Sequence, residues 1–249
     1  MTQATQAKNA ISKTCEKIIV ALDVETRDEA RQILGELNGK VVAFKIGMQL
    51  FTAAGPEFVR EVTSSGVKVF LDLKFHDIPN TVANAGVEAA RLGVWMFNVH
   101  AIGGSEMMKR TANDVAEFCL QSGVTRPHII GVTVLTSSTA DTLKETGFEG
   151  SVEHQVTTLA RLAHFSGLDG VVASPREVIA IKAAVDDRSF LTVTPGIRPT
   201  GGTTDDQRRV TTLRDAIAWE ADYVVIGRPI TQAADRVKAL ESMIAEAEN

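Results

Sequence analysis

The 249-residue chain carries 26 Lys and Arg against 31 Asp and Glu, a formal charge of −5, with 44% hydrophobic and 5% aromatic residues. That balance argues against a general nucleic-acid binder or an anionic-membrane ligand, and it leaves local basic residues to serve any anionic partner. The length suits a single α/β barrel with a large buried core.

Residues 1–16 are polar and mixed, without the apolar core of a signal peptide, and read as a lead-in to one domain spanning 17–249. No apolar run approaches the ~20 residues needed to cross a bilayer. Cys15 and Cys119 are far apart and form no CxxC, so both are expected as reduced thiols in a cytoplasmic protein.

From residue 17 onward, short apolar runs alternate with longer amphipathic stretches. The expected strands are Lys17–Asp23, Val41–Met48, Val67–Lys74, Met96–Ala101, His128–Thr136, Gly170–Ser174, Phe190–Ile197 and Tyr223–Ile230. The expected helices are Thr26–Leu37, Gly55–Ser65, Val82–Leu92, Ser105–Gln121, Val152–Ser166, Arg176–Val185, Leu213–Trp219 and Gln232–Ala247. Alternation of this kind implies parallel strands, and eight units predict closure into a (β/α)8 barrel, the TIM-barrel architecture, with an open doubly wound sheet as the alternative.

Chemistry in such a barrel sits at the C-terminal ends of the strands. Those ends carry Asp23, Lys45 within the second strand, Asp72 and Lys74, His100, Thr136, Ser174, Arg198 and Gly227-Arg228. The third strand is the centre of the pattern. Its side chains alternate faces, so Asp72 and Lys74 point the same way, and Asp77 follows just before Pro79 interrupts pairing. A solvated strand end with an incidental ion pair is the plain alternative. On a buried face the charges would need mutual compensation, because an unpaired buried charge costs several kcal/mol. Lys74 between two carboxylates would then hold an ammonium proton ready for use.

The segment Thr194–Arg209 is rich in Gly and Thr and reads as a mobile lid or as an ordinary surface loop. Arg198 at its start, with Gly227-Arg228 in the next unit, suggests a phosphate site. His76, His100 and His154 show no H-x-H or H-E-x-x-H spacing, so no metal site is expected. His76 reads as a packing residue or one that supports the site residues from behind, and His154 as a helix-face residue.

The string Asp72-Leu73-Lys74-Phe75-His76-Asp77-Ile78-Pro79-Asn80-Thr81 is more specific than a bare D-x-K-x-x-D, which related sugar-phosphate decarboxylases share. Together with Ala21-Leu22-Asp23, Thr194-Pro195-Gly196-Ile197-Arg198 and Ile226-Gly227-Arg228-Pro229, it resembles the orotidine 5′-phosphate decarboxylase family in its bacterial form. The resemblance runs from about Lys17 to Ile230 and departs from the family pattern at no catalytic position. It implies cofactor-independent and metal-independent conversion of orotidine 5′-phosphate to UMP and carbon dioxide. It further implies that Lys74 protonates C6 of the pyrimidine and that Asp72 sits beside the departing carboxylate. Lys45 would join Asp72, Lys74 and Asp77 in a charge chain, and with Asp23 would contact the ribose hydroxyls. Thr136 would bind the pyrimidine, while Arg198, Gln207, Gly227 and Arg228 would hold the phosphate. Asp77, Ile78 and Thr81 would complete the neighbouring site of a homodimer.

Two other readings remain open from sequence. A metal-dependent keto-sugar-phosphate decarboxylase or epimerase would share the barrel but require a carboxylate near the second strand, where this chain has Lys45. A non-catalytic nucleotide-phosphate binder would keep the barrel and lose the chemistry. A Schiff-base aldolase fits less well, because neighbouring carboxylates favour a protonated, poorly nucleophilic lysine.

Overall fold

The apolar runs are the strands of a closed parallel barrel. The computed structural model describes residues 13–199 and 211–248. Its strands are β1 (Ile18–Ala21), β2 (Ala43–Gly47), β3 (Val69–Phe75), β4 (Met96–His100), β5 (His128–Val132), β6 (Gly170–Val172), β7 (Leu191–Thr194) and β8 (Tyr223–Ile226). They pair in sequence order, and β8 returns to β1 through Ile18 opposite Val224.

Between and after the strands lie α1 (Arg27–Leu37), α2 (Met48–Ser64), α3 (Pro79–Arg91), α4 (Gly104–Ser122), α5 (Ala140–Glu145), α6 (Val152–Phe165), α7 (Val178–Val185), α8 (Leu213–Ala218), α9 (Arg228–Thr231) and α10 (Arg236–Glu248). Several starts are written in the side chains. Thr26, Ser151 and Thr212 each accept a hydrogen bond from the backbone N–H three residues on, at 3.2, 3.1 and 3.1 Å. Pro79 occupies the first turn of α3, where its missing N–H costs nothing.

Period-two alternation sorts each strand into two cores. Ile18, Val20, Phe44, Leu71, Phe97 and Val99 face outward and are buried beneath the helices. Ile19, Ala21, Ala43, Phe70, Met96, Ile130, Val193 and Val225 fill the barrel interior. Phe44, Phe58, Phe70 and Phe97 are all essentially inaccessible, and burying such a side chain stabilises the fold by roughly 1.5–3 kcal/mol. At the strand N-termini, Trp95 packs edge-on against His128 and Tyr223, with ring centroids 5.7 and 5.1 Å away.

The interior parity decides where the polar residues go. Continuing the inward face by steps of two leads from Ala21 to Asp23, from Ala43 to Lys45, from Phe70 to Asp72, and from Met96 to Asn98 and His100. Apolar side chains fill the lower barrel, and the next residues along the same faces are charged or amide-bearing.

Several boundaries differ from the sequence expectation, and four of them are informative. α2 begins at Met48 rather than Gly55, because it is two helical segments that meet at a kink, where Gly55 (φ 72°, ψ 176°) leaves the helical conformation just before Pro56. β5 stops at Val132, leaving Thr136 on the loop beyond it, and Ser174 likewise lies past the end of β6. β8 stops at Ile226, so Arg228 opens a helical turn instead of ending a strand, with Pro229 in its first turn.

Candidate active site

β2 and β3 lift three charged side chains into the barrel mouth. Lys45 Nζ lies 2.9 Å from Asp23 Oδ1 and 3.3 Å from Asp72 Oδ2, while Lys74 Nζ lies 2.6 Å from Asp72 Oδ1. Asp72 is therefore gripped by one ammonium on each oxygen. The Lys45 and Asp72 side chains are only 10% and 13% exposed, whereas Asp23 at the rim is 55% exposed. The plain alternative of a solvated strand end does not describe this arrangement.

Burial and charge compete at both inner groups. Desolvation is the largest influence on Lys45 and pulls its pKa down, yet the attraction of Asp72 and Asp23 outweighs it and leaves the ammonium above the ordinary lysine value. Desolvation likewise pushes Asp72 up, but Lys45, Lys74 and the Asn98 amide together hold its carboxyl below the usual range. Both groups stay ionised. The neighbouring His100 imidazole is pulled down by burial first, then by His76 and Lys74, so it is held neutral more firmly than an exposed histidine.

The backbone beneath this cluster is irregular. β3 and β4 pair Leu71 with Phe97 and next Phe75 with Val99, so the register shifts between them. Within that bulge Lys74 adopts φ 53°, a left-handed conformation costing a non-glycine residue about 1–2 kcal/mol. Asn98, 1% exposed on β4, bridges the irregularity: its Oδ1 accepts from Lys74 N at 2.8 Å and its Nδ2 donates to Asp72 Oδ1 at 2.7 Å. Asn98 was not singled out from sequence. A lone amide in the apolar run Met96-Phe97-Asn98-Val99 was the available signal, since a buried polar side chain needs partners. Gly47 was missed as well; a Cβ there would come within 3.0 Å of Lys45 Nζ, so the glycine makes room for the ammonium.

The charges line a cavity of about 500 Å³ at the C-terminal ends of the strands. Asp23, Lys45, Asp72, Lys74, Thr136, Arg198, Gly227 and Arg228 all border it, from six different strand-to-helix junctions. Arg198 is buried, and its backbone N–H bonds Thr211 O at 3.0 Å beside the Ile197–Thr211 bridge. Gly227 borders the cavity beside Ala21 and Asp23. Gln207 lies outside the described residues.

Asp77, Ile78 and Thr81 are not brought to this cavity. All three are exposed; the Asp77 carboxylate accepts from Ile78 N at 2.6 Å, and among the described residues it forms no ion pair with Lys74. Ile78 is 67% exposed, and Met48 and Ile102 near the ends of β2 and β4 add further exposed apolar surface on that side of the mouth. His76 is exposed, with its ring 5.5 Å from that of His100 at a 43° tilt, and His154 is exposed on α6. Among the described residues, no three His, Cys, Asp or Glu side chains converge as metal ligands, and no helix is long and apolar enough to cross a membrane.

Comparison with known proteins places this geometry in context. Residues 16–243 match the model of the family described as orotidine 5′-phosphate decarboxylase / HUMPS. A curated orotidine 5′-phosphate decarboxylase from Syntrophotalea carbinolica is 51% identical over 230 residues, covering 92% of this chain and 94% of that protein. The namesake protein of Geobacter sulfurreducens is 50% identical over 232 residues, covering 93% and 95%. The crystal structure of orotidine 5′-phosphate decarboxylase from Lactobacillus acidophilus superposes with a TM-score of 0.82 at 38% identity, covering 94% of this chain and all of that one.

Proposed function

The chain belongs to the orotidine 5′-phosphate decarboxylase / HUMPS family, and from that premise we propose that it decarboxylates orotidine 5′-phosphate to UMP, the last step of de novo pyrimidine synthesis, in the cytoplasm and within one catalytic unit spanning 17–249. The observation that carries the proposal is the buried Lys45–Asp72–Lys74 array facing a cavity whose far side is bordered by two arginines.

The order of residues around the barrel supports a substrate pose. Arg198 and Arg228, after β7 and β8, take the phosphate with Gly227 and with Gln207. Asp23 and Lys45, at β1 and β2, face the ribose hydroxyls. Asp72 and Lys74, on β3, face C6 and its carboxylate, and Thr136 beyond β5 takes the pyrimidine edge. Breaking the C6–carboxylate bond releases carbon dioxide and leaves the electron pair on C6. The Lys74 ammonium donates a proton to that carbon and is reprotonated from solvent. A fixed cation held by carboxylates stabilises this concentrated charge more than it does the dispersed charge of the substrate carboxylate, and that difference lowers the barrier. The chemistry assigned to these side chains calls for no metal or organic cofactor. The metal-dependent sugar-phosphate reading would place a carboxylate where Lys45 stands, and nothing favours it.

The test is to treat the protein with EDTA, mix it with orotidine 5′-phosphate and follow ultraviolet absorbance. A fall matched by release of carbon dioxide is expected. No turnover, or turnover only after a divalent ion is restored, would overturn the reading.

Arg228→Ala should weaken only what carries the phosphate. Loss of a charge-assisted contact costs about 1.5–3 kcal/mol, roughly a ten- to hundredfold fall in kcat/KM for orotidine 5′-phosphate. Phosphate-free orotidine should be indifferent to the change. Equal losses on both substrates would assign Arg228 to the fold.

The functional assembly proposed is a homodimer whose sites are completed by Asp77, Ile78 and Thr81 across a two-fold interface. Their exposure away from their own cavity, beside the apolar surface of Met48 and Ile102, supports that reading. It is separable from a single-chain role by mixing inactive Lys74→Ala with inactive Asp77→Ala under subunit exchange. In a mixed dimer one site receives both defects and the other neither, so random pairing should restore about a quarter of wild-type activity. No recovery in demonstrated mixed dimers would return Asp77 to its own subunit's site.

A further inference from the structure

We propose that Asn98 is a positioning residue for the decarboxylation, one buried amide that sets both the backbone of Lys74 and the carboxylate of Asp72. The inference rests on the decarboxylase reading above and adds a residue to it.

Its ground is the register of β3 on β4. Between the pairs Leu71–Phe97 and Phe75–Val99, the residues Asp72, Leu73 and Lys74 stand opposite Asn98 alone. A bulge of that kind leaves a backbone N–H without its ladder partner. Here the unpaired donor is Lys74 N, and it is met by Asn98 Oδ1 at 2.8 Å. The same side chain turns its Nδ2 to Asp72 Oδ1 at 2.7 Å, the oxygen that also binds Lys74 Nζ at 2.6 Å. The amide orientation is fixed by its partners, since an N–H must see the oxygen and a carboxylate must see the nitrogen. With 1% exposure and no place on the cavity wall, Asn98 reaches the substrate only through these two residues.

Both ends of Lys74 are thereby tied to one point. Its left-handed backbone is held by the amide carbonyl, and its ammonium by a carboxylate whose own position is set by the amide nitrogen. Without Asn98 the bulge has no side-chain partner and Lys74 loses the restraint on its reach toward C6.

The test compares Asn98→Ala and Asn98→Asp with wild type, measuring kcat, KM, UMP affinity and the pH profile. The titratable groups around this point are Asp72 and Lys74 on β3, Lys45 on β2, and His100 on β4 with the His76 ring 5.5 Å from it. Asn98→Ala should lower kcat on the order of 10²-fold, the scale of a small misplacement of a reacting group. UMP affinity should change by no more than about threefold, because the groups that hold ribose and phosphate are untouched. The acid limb of its kcat profile should move to higher pH, since Asp72 loses a donor that favours its ionised form. In Asn98→Asp the introduced carboxyl is isosteric. Ionised, it repels Asp72; protonated, it restores both hydrogen bonds, so kcat should rise as pH falls, opposite in sense to Asn98→Ala.

Retention of kcat within about threefold in Asn98→Ala would overturn the proposal, as would two variants with the wild-type pH profile. If only Asn98→Ala fails to fold, the pH response of Asn98→Asp decides alone; loss of fold in both assigns Asn98 to the scaffold and overturns the positioning role. A wild-type protein that does not turn over orotidine 5′-phosphate would instead defeat the decarboxylase reading itself.

Discussion

Replacing Lys74 with alanine is expected to abolish turnover while leaving a folded, nucleotide-binding protein. Loss of general-acid catalysis alone removes about 10²–10⁴-fold, and loss of the cation facing the developing carbanion removes a further factor, so kcat should fall on the order of 10⁴-fold or more. The fold should survive for a structural reason. Asp72 keeps Lys45 at 3.3 Å and the Asn98 amide at 2.7 Å, so no buried carboxylate is left without partners. UMP affinity, measured by fluorescence or calorimetry, should change little. Near-normal turnover in purified Lys74→Ala would remove the assignment.

The sequence made this residue legible because charges are conspicuous in apolar strands. Asp72 and Lys74 interrupt the run beginning Val69-Phe70-Leu71, and period-two alternation places both on the face that lines the barrel interior. The eight strands were readable for the same reason, as β-branched runs separated by helical periodicity. The strand ends were not. Thr133, Val134 and Leu135 continue the β-branched and apolar pattern of β5, yet they form a loop, with Val134 buried and Thr133 Oγ1 bonded to Val172 O at 2.9 Å. α5 was invisible because Ala140–Glu145 carries a single buried residue, Leu143, and so shows no apolar face. The left-handed turn at Lys74 was equally hidden. It depends on Asn98 in the next strand, a contact that local pattern does not encode. Asp77 reads locally as a third member of the array, but the chain turns into α3 and carries it outward.

Asp72→Asn should be damaging in a second way. Two ammoniums, one of them on a side chain only 10% exposed, would then share a neutral amide. Breaking a buried ion pair by removing one partner costs roughly 3–5 kcal/mol, so the melting temperature should fall clearly, unlike in Lys74→Ala. Turnover should fall on the order of 10³-fold as Lys74 loses the carboxylate that aims it. The pH response gives the sharper reading. In wild type Asp72 has a depressed pKa, so its stabilisation is present above the unfolded carboxylate value and lost only as pH falls through the lower folded value. Lys45 has a raised pKa, so its contribution is complete below the unfolded lysine value and lost as pH rises through the higher folded one. Stability should therefore be flat in this respect across neutral pH. In Asp72→Asn the burial of Lys45 loses its main offset and its pKa drops, so the variant should gain stability as pH rises through the neutral and mildly alkaline range. A variant whose stability stays flat over that interval would mean that Asp23 alone compensates Lys45.

A Lys74 that donates its proton to C6 of the pyrimidine must also remove it in the reverse direction, so microscopic reversibility makes the step measurable without carbon dioxide. UMP held at saturation on a high concentration of enzyme in D2O should slowly replace its C6 hydrogen with deuterium, followed as loss of the C6 proton signal by NMR. Exchange is expected with wild-type protein, faster than in enzyme-free solution, and none above that background with Lys74→Ala although UMP still binds. Equal exchange in the two proteins would contradict it, because the proton would then travel through some group other than Lys74.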